Sequence, residues 1–301
     1  MLDVCLLGTG GTMPLPERAL TALFIKYNGH GYLIDCGEGT QVQLRKAGIS
    51  MHGVDTILIT HFHADHVTGL QGLLLSMAKS DRTAPVRIIA PKGAERIIRA
   101  LCITAPVMPF DVTITEISDE CETFDIFGLR ITARLAMHSV VCYAYSFELD
   151  RQAKFDPEKA KLVCPDVRLW KKLQHGESIT VDGSTVSPDM VLGSPRKGLK
   201  LCYCTDTRPI APLTALAENS DLLICEGMYA DEDKLEMAKE KRHMTFKEAA
   251  DIAKTANAKL LWFTHFSPSL ADPYEYKEYA HELFENALIP NDLEKITLKF
   301  N

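Results

Sequence analysis

Residues 57–70 read ILITHFHADHVTGL. A run of apolar and β-branched residues stops at Thr60, and three histidines and an aspartate follow within six positions. The run reads as a buried strand, so the ligating chemistry lies directly behind the core. Alternate residues of an extended chain face the same way, which lets His61 and His63 converge on one metal ion. Where the chain turns toward the apolar "VTGLQGLLL", Asp65 and His66 face a second ion beside the first. Imidazole and carboxylate without thiolate suit zinc or another borderline divalent cation, with manganese a further candidate.

Short apolar runs punctuated by glycine recur on both sides of this stretch. Strands are expected at Asp3–Leu7, Ala22–Tyr27, Gly31–Asp35, Thr56–Thr60, Val86–Ala90, Val112–Ile117, Leu129–Ala136 and Val140–Phe147. Lys200–Thr205, Leu222–Glu226 and Leu260–Thr264 continue the series. Helices are expected at Thr40–Ala47, Leu70–Ala78, Gly93–Cys102, Phe246–Thr255 and Pro273–Asn286. Many short strands with helices outside them imply an α/β architecture of two sheets sandwiched between helical layers. Asp150–Gly198 is charged, turn-rich and proline-containing, and reads as an insertion. The chain is therefore expected to be one domain over 1–301 carrying an arm at 150–198.

Composition narrows the class. No apolar run approaches the roughly 20 residues that span a bilayer, and "MLDVCLLGTGGT" has no basic leader, so neither a membrane anchor nor a signal peptide is expected. The nine cysteines are odd in number and scattered, with no C-x-x-C. Reduced core thiols and a cytoplasmic location follow as expectations. The net charge of −7 argues against whole-surface attraction to nucleic acid. Residues 151–175 depart from that balance, with seven Lys/Arg against three Asp/Glu.

The H-x-H-x-D-H spacing resembles the metallo-β-lactamase fold superfamily, in which further ligands follow at the ends of later strands. His138 in "ARLAMHSVVCY", Asp206 in "LCYCTDTRP" and His265 in "LLWFTHFSP" stand where that resemblance requires them. By resemblance, His61, His63 and His138 hold one metal, Asp65, His66 and His265 hold the other, and Asp206 bridges them. Two such ions acidify a water and offset charge on the transition state of a phosphodiester, lactam, thioester or lactone hydrolysis. The ligand set does not choose among these. His30, His52, His175 and His281 lie in turns or on polar helix faces and receive no role.

Over its full length the chain is similar to the ribonuclease Z family, which trims the 3′ end of precursor transfer RNA. "YLIDCGEGTQVQLRKAGIS", "ILITHFHADHVTGLQGLL" and "LLICEGMYADEDKLEMAKEKRHMTFKEAADIAKTANAKLLWFTHFSPSL" carry the likeness. It implies that His243 protonates the leaving 3′ oxygen, with Glu226 as its carboxylate partner, and that Asp65 doubles as general base. It also implies a homodimer with an RNA-gripping arm, so Lys154, Arg168, Lys171 and Lys172 become candidate phosphate contacts, with Arg18 from the early loop. The chain departs from the family pattern in places. Pro14-Leu15-Pro16-Glu17-Arg18 replaces P-x-K-x-R, Thr205 replaces a glycine, and Met244 replaces the middle of H-S-T. Ser269-Leu270 replaces Arg-Tyr, and the arm lacks the Gly-Pro turn. A binuclear phosphodiesterase for small or cyclic nucleotides, a lactonase or thioesterase, and an RNA-binding module without catalysis are the alternatives.

Overall fold

The structure, a computed structural model, describes every residue except Pro106 and Asn301. It divides into two compact units, Met1–Glu148 with Leu199–Lys299, and Leu149–Gly198 with Phe300.

The first unit holds two sheets. In one, the spatial order of strands is Glu294–Leu298, Leu2–Gly8, Ala22–Tyr27, His30–Ile34, Val54–Leu58, Val86–Pro91, Val112–Ile117. Its early strands are antiparallel. Asn28 and Gly29, both at positive φ (49° and 87°), close the two-residue turn between Ala22–Tyr27 and His30–Ile34, the Asn-Gly geometry that suits strand twist. From His30–Ile34 onward the pairing becomes parallel. The other sheet runs Ala287–Leu288, Leu261–Thr264, Leu222–Glu226, Arg196–Cys204, Tyr143–Arg151, Leu129–Leu135, Cys121–Ile126. Its first four strands pair in parallel.

Strands buried on both faces explain the near-continuous apolar runs. Cys5 and Leu7 pack with Leu70, Leu73, Leu74 and Met77 of the helix Leu70–Lys79. The alternate residues Leu2, Val4 and Leu6 are equally buried. The second sheet packs similarly on Phe246–Thr255, through Phe246, Ala249, Ala250 and Ala253. Tyrosine hydroxyls stitch the sheets together: Tyr32 donates to Ile126 O and Tyr145 to Ile59 O, each at 2.8 Å. The α/β sandwich expected from the patterning forms.

Several boundaries differ. The strand before the histidines ends at Leu58, not Thr60, so His61 and His63 lie on an extended loop and His63 is the N-cap of Ala64–Val67. Val140 and Val141 are exposed loop residues, and the strand begins at Tyr143. The expected helix 273–286 is a 3-10 turn at Pro273–Tyr276 followed by Lys277–Leu283. It stops there because Ala287 and Leu288 pair with Leu261 and Trp262, which takes the chain out of helical geometry. Cys121–Ile126 and Glu294–Leu298 are additional strands.

The second unit has its own small core of Ala160, Cys164, Leu173, Ile179, Val186 and Val191. Asp156 caps Pro157–Val163 by accepting from the Glu158 and Lys159 amides. A hairpin, Ile179–Val181 with Ser184–Val186, turns at Asp182-Gly183.

Candidate metal centre

Ligand-bearing residues sit just past the carboxyl ends of parallel strands, where open α/β sheets place their sites. Asp206 follows Arg196–Cys204, Glu226 ends Leu222–Glu226, and His265 follows Leu261–Thr264. His61, His63, His138 and Asp206 each offer a ligand atom, all within 4.8 Å of one another. Asp65, His66 and His265 form a second group by the same measure. Asp206 faces both groups with different oxygens. Its Oδ1 lies 3.9 Å from His61 Nε2 and 3.8 Å from His138 Nε2. Its Oδ2 lies 3.1 Å from His66 Nε2 and 3.2 Å from His265 Nε2.

The surrounding residues fix tautomers and ring positions. His66 Nδ1 donates to Asp35 Oδ2 at 2.9 Å, which leaves Nε2 turned to the cluster. Asp35 is fully buried and also accepts from the Thr60 amide and hydroxyl at 2.8 and 3.0 Å. His138 Nδ1 donates to Arg242 O at 3.1 Å, and Arg242 Nη1 returns a bond to His138 O. The Thr12 amide donates to Asp65 Oδ2 at 2.7 Å. Gly11 lies so close to His265 that a Cβ there would stand 2.6 Å from ring atom Cε1. Asp35, Asp206 and His265 hold left-handed backbone conformations, with φ of 61°, 54° and 58°. For non-glycine residues that costs roughly 1–2 kcal/mol each, a strain that collects at functional sites.

The residues fit a metal. His61 Nε2 is buried without a hydrogen-bond partner, and His66 Nε2 faces His265 Nε2 at 3.2 Å. Convergent imidazole nitrogens facing one another beside carboxylates suit a cation between them. Burial alone would depress protonation of His66, yet Asp206 and Asp35 raise its pKa well above the ordinary value. The carboxylates that favour a proton there favour a divalent ion equally.

Beside the cluster, His243 Nδ1 bonds Glu226 Oε2 at 3.0 Å. Burial would lower its pKa, but the charge and hydrogen bond of Glu226 raise it to about 9. Glu226 is itself held by the Thr207 amide at 2.5 Å and the Met244 amide at 3.2 Å. The His243 ring centroid is 5.1 Å from that of His138 and 5.5 Å from that of His265.

The expected substrate contacts are divided between the two units. The Arg18 guanidinium bonds Leu270 O and Ala271 O at 3.1 and 3.0 Å and lies over the Phe266 ring, so it braces the loop after His265. Lys154, Arg168, Lys171 and Lys172 are exposed and belong to the second unit. Arg168 is engaged by Asp166, its Nε at 2.9 Å from Oδ1. Asp35, Thr12 and Arg242 escaped sequence reading because each acts on a residue distant along the chain. All nine cysteines are free. Among the described residues, no helix is long and apolar enough to cross a membrane.

Residues 2–155 match the family model described as Anti-Pycsar protein Apyc1, and residues 172–266 match the Beta-lactamase superfamily domain. A ribonuclease Z from Agathobacter rectalis is 50% identical, covering 100% of this chain and 99% of its own. A ribonuclease Z from Lachnoclostridium phytofermentans is also 50% identical over the same shares. The crystal structure of human tRNase Z, short form, superposes with a TM-score of 0.69 at 25% identity, covering 99% of this chain and 100% of its own. Full-length identity at this level, on a fold that assembles the expected histidines and aspartates, places the chain in the ribonuclease Z family of metal-dependent hydrolases.

Proposed function

We propose that the protein is an endoribonuclease that removes the 3′ trailer of precursor transfer RNA. The observation that carries this reading is the His243–Glu226 pair set beside two ligand groups that Asp206 faces with different oxygens. A lactone or thioester hydrolase has no need of a buried, charge-supported imidazolium next to its metals, whereas a ribose 3′ oxygen is a poor leaving group that needs a proton. The second unit, with a +4 segment at 151–175, supplies phosphate contacts through Lys154, Lys171 and Lys172, with Arg168 available once released from Asp166.

His61, His63 and His138 would hold one divalent ion and Asp65, His66 and His265 another, with Asp206 between; bound there, the ions would supply acidified water and positive charge against the phosphate. We assign these as zinc, with manganese as the other candidate. Asp65, oriented by the Thr12 amide, accepts the proton of the attacking water. The water oxygen forms its bond to phosphorus as the bond to the 3′ oxygen breaks. Glu226 takes the Nδ1 hydrogen bond of His243, which leaves Nε2 as the atom that protonates the departing oxygen. The enzyme acts as a cytoplasmic homodimer in this reading.

The test compares cleavage of a precursor transfer RNA with hydrolysis of a cyclic nucleotide, alongside elemental analysis. Trailer release with about two metal ions per chain supports the proposal. Efficient cyclic nucleotide hydrolysis without RNA cleavage would replace it with the small-substrate reading.

A further inference from the structure

The short loop Thr205–Arg208 reaches further than its aspartate. Thr207 gives its amide to Glu226, and its hydroxyl accepts the Met137 amide, beside His138, at 3.0 Å. The Arg208 amide donates to Met137 O at 3.0 Å. Its guanidinium then turns to the other side of the site. Nη1 bonds the His243 carbonyl at 2.5 Å and Glu248 Oε2 at 2.9 Å, while Nη2 bonds Glu248 Oε1. Both side chains are largely buried, 14% and 17% exposed. Glu248 closes a capping box with Thr245 at the start of Phe246–Thr255, so the fork is anchored to a fixed helix end.

His243 needs such an anchor. It follows Arg242, which sits at φ 59°, and it lies between one helix, Leu235–Lys241, and the cap of the next. Its ring is tied to Glu226 by one hydrogen bond. An imidazole that delivers a proton must be held to within a fraction of an ångström of its target. The His243 amide bonds Ala238 O at 2.8 Å and the Met244 amide bonds Glu226, and the bond from Arg208 to the His243 carbonyl ties this stretch to the loop that carries Asp206. We infer that Arg208 is a positioning residue: it locks the His243 main chain to the loop that carries Asp206, so that proton donor and ligand cluster keep one spacing. The inference rests on reading His243 as the proton donor. Lysine cannot replace it, because a single ammonium cannot grip both carboxylate oxygens in plane while also bonding a carbonyl.

The experiment exploits the leaving group. p-Nitrophenolate departs without a proton, unsubstituted phenolate departs with more difficulty, and a ribose 3′ oxygen needs protonation. Arg208→Lys is measured on bis(p-nitrophenyl) phosphate, on its phenyl counterpart and on precursor transfer RNA, with metal content and melting temperature alongside. The expected result is a loss in kcat that grows along that series, at least about tenfold larger on RNA than on the nitrophenyl ester. KM and metal content should stay close to wild type. Glu248→Gln, which keeps the capping box and removes the ion pair, should show the same ordering if Arg208→Lys folds poorly. An equal loss on every substrate would mean general damage to the metal site, and a lower melting temperature with unchanged kcat would mean a stabilising ion pair only; either overturns the inference. If wild-type enzyme cuts the aryl esters but not the RNA, the substrate reading fails, and the two aryl esters still decide the role of Arg208.

Discussion

His243 stands where burial and charge oppose each other. Burial disfavours its protonated form, and Glu226 more than restores it, to about 9. The imidazolium is therefore the working form at neutral pH, and acid catalysis should decline as pH rises through about 9. Glu226→Gln removes the supporting charge and leaves the burial, so the pKa should drop toward or below the ordinary 6.5. The alkaline limb of the kcat profile for a poor leaving group should then move down by about two pH units. At pH 8 the variant should be slower by on the order of tenfold, while metal content holds. An unmoved limb would remove His243 from the proton-transfer step. Resemblance to the family pointed to this pair, because both residues lie in stretches that carry the likeness. Asp35 eluded it: an aspartate after "YLI" looks like a turn residue, and its partner His66 is 31 positions away. The left-handed backbone of Asp206 and His265 is likewise invisible in composition, because it is imposed by what the loops must reach.

Element by element, the apolar periodicity located most strands within two residues, since strands buried on both faces advertise themselves. Among those it missed, Cys121–Ile126 and Glu294–Leu298 alternate half-buried and exposed positions among charged residues, each with only its last residue buried. Asp182-Gly183 carried a readable hairpin signal that the surrounding charge obscured. The first glycine loop shows how tightly elements constrain the site. Gly11 donates its amide to Phe266 O at 3.0 Å and leaves no room for a side chain against His265. Gly11→Ala should push the His265 ring aside, weaken metal retention and cost about 1–3 kcal/mol in stability. Gly53 has no atom within 4 Å of its would-be Cβ, so Gly53→Ala is the control, expected within about 0.5 kcal/mol of wild type. Denaturant unfolding with metal analysis on both variants checks the pair. Equal behaviour would mean that the loop yields without disturbing His265.

For the molecule as a whole, the question is whether the second unit exists to hold RNA. Excising 151–175 would be a poor test, because Ala160, Cys164 and Leu173 come from that segment while Ile179, Val186 and Val191 of the same core do not. A linker in its place strands half a hydrophobic core, and lost RNA cleavage could then reflect misfolding. Neutralising exposed charge avoids this. Lys154, Lys171 and Lys172 are exposed, so changing all three to Gln leaves the unit's core intact. Phosphate contacts by lysine release counterions, and each lost contact should flatten the dependence of log affinity on log salt by just under about one unit. The triple variant should therefore bind precursor transfer RNA on the order of tenfold or more weaker at low salt, with a salt slope reduced by about 2–3. Turnover at saturating RNA should hold, as should hydrolysis of a dinucleotide-sized diester, which offers these lysines nothing to grip. Arg168→Gln makes the comparison sharper. Its guanidinium is already engaged by Asp166 through both carboxylate oxygens, so its loss should change the slope less than loss of any one lysine. A triple variant with wild-type affinity and slope would mean that the basic segment is only a solvated face, and that the first unit handles its substrate alone.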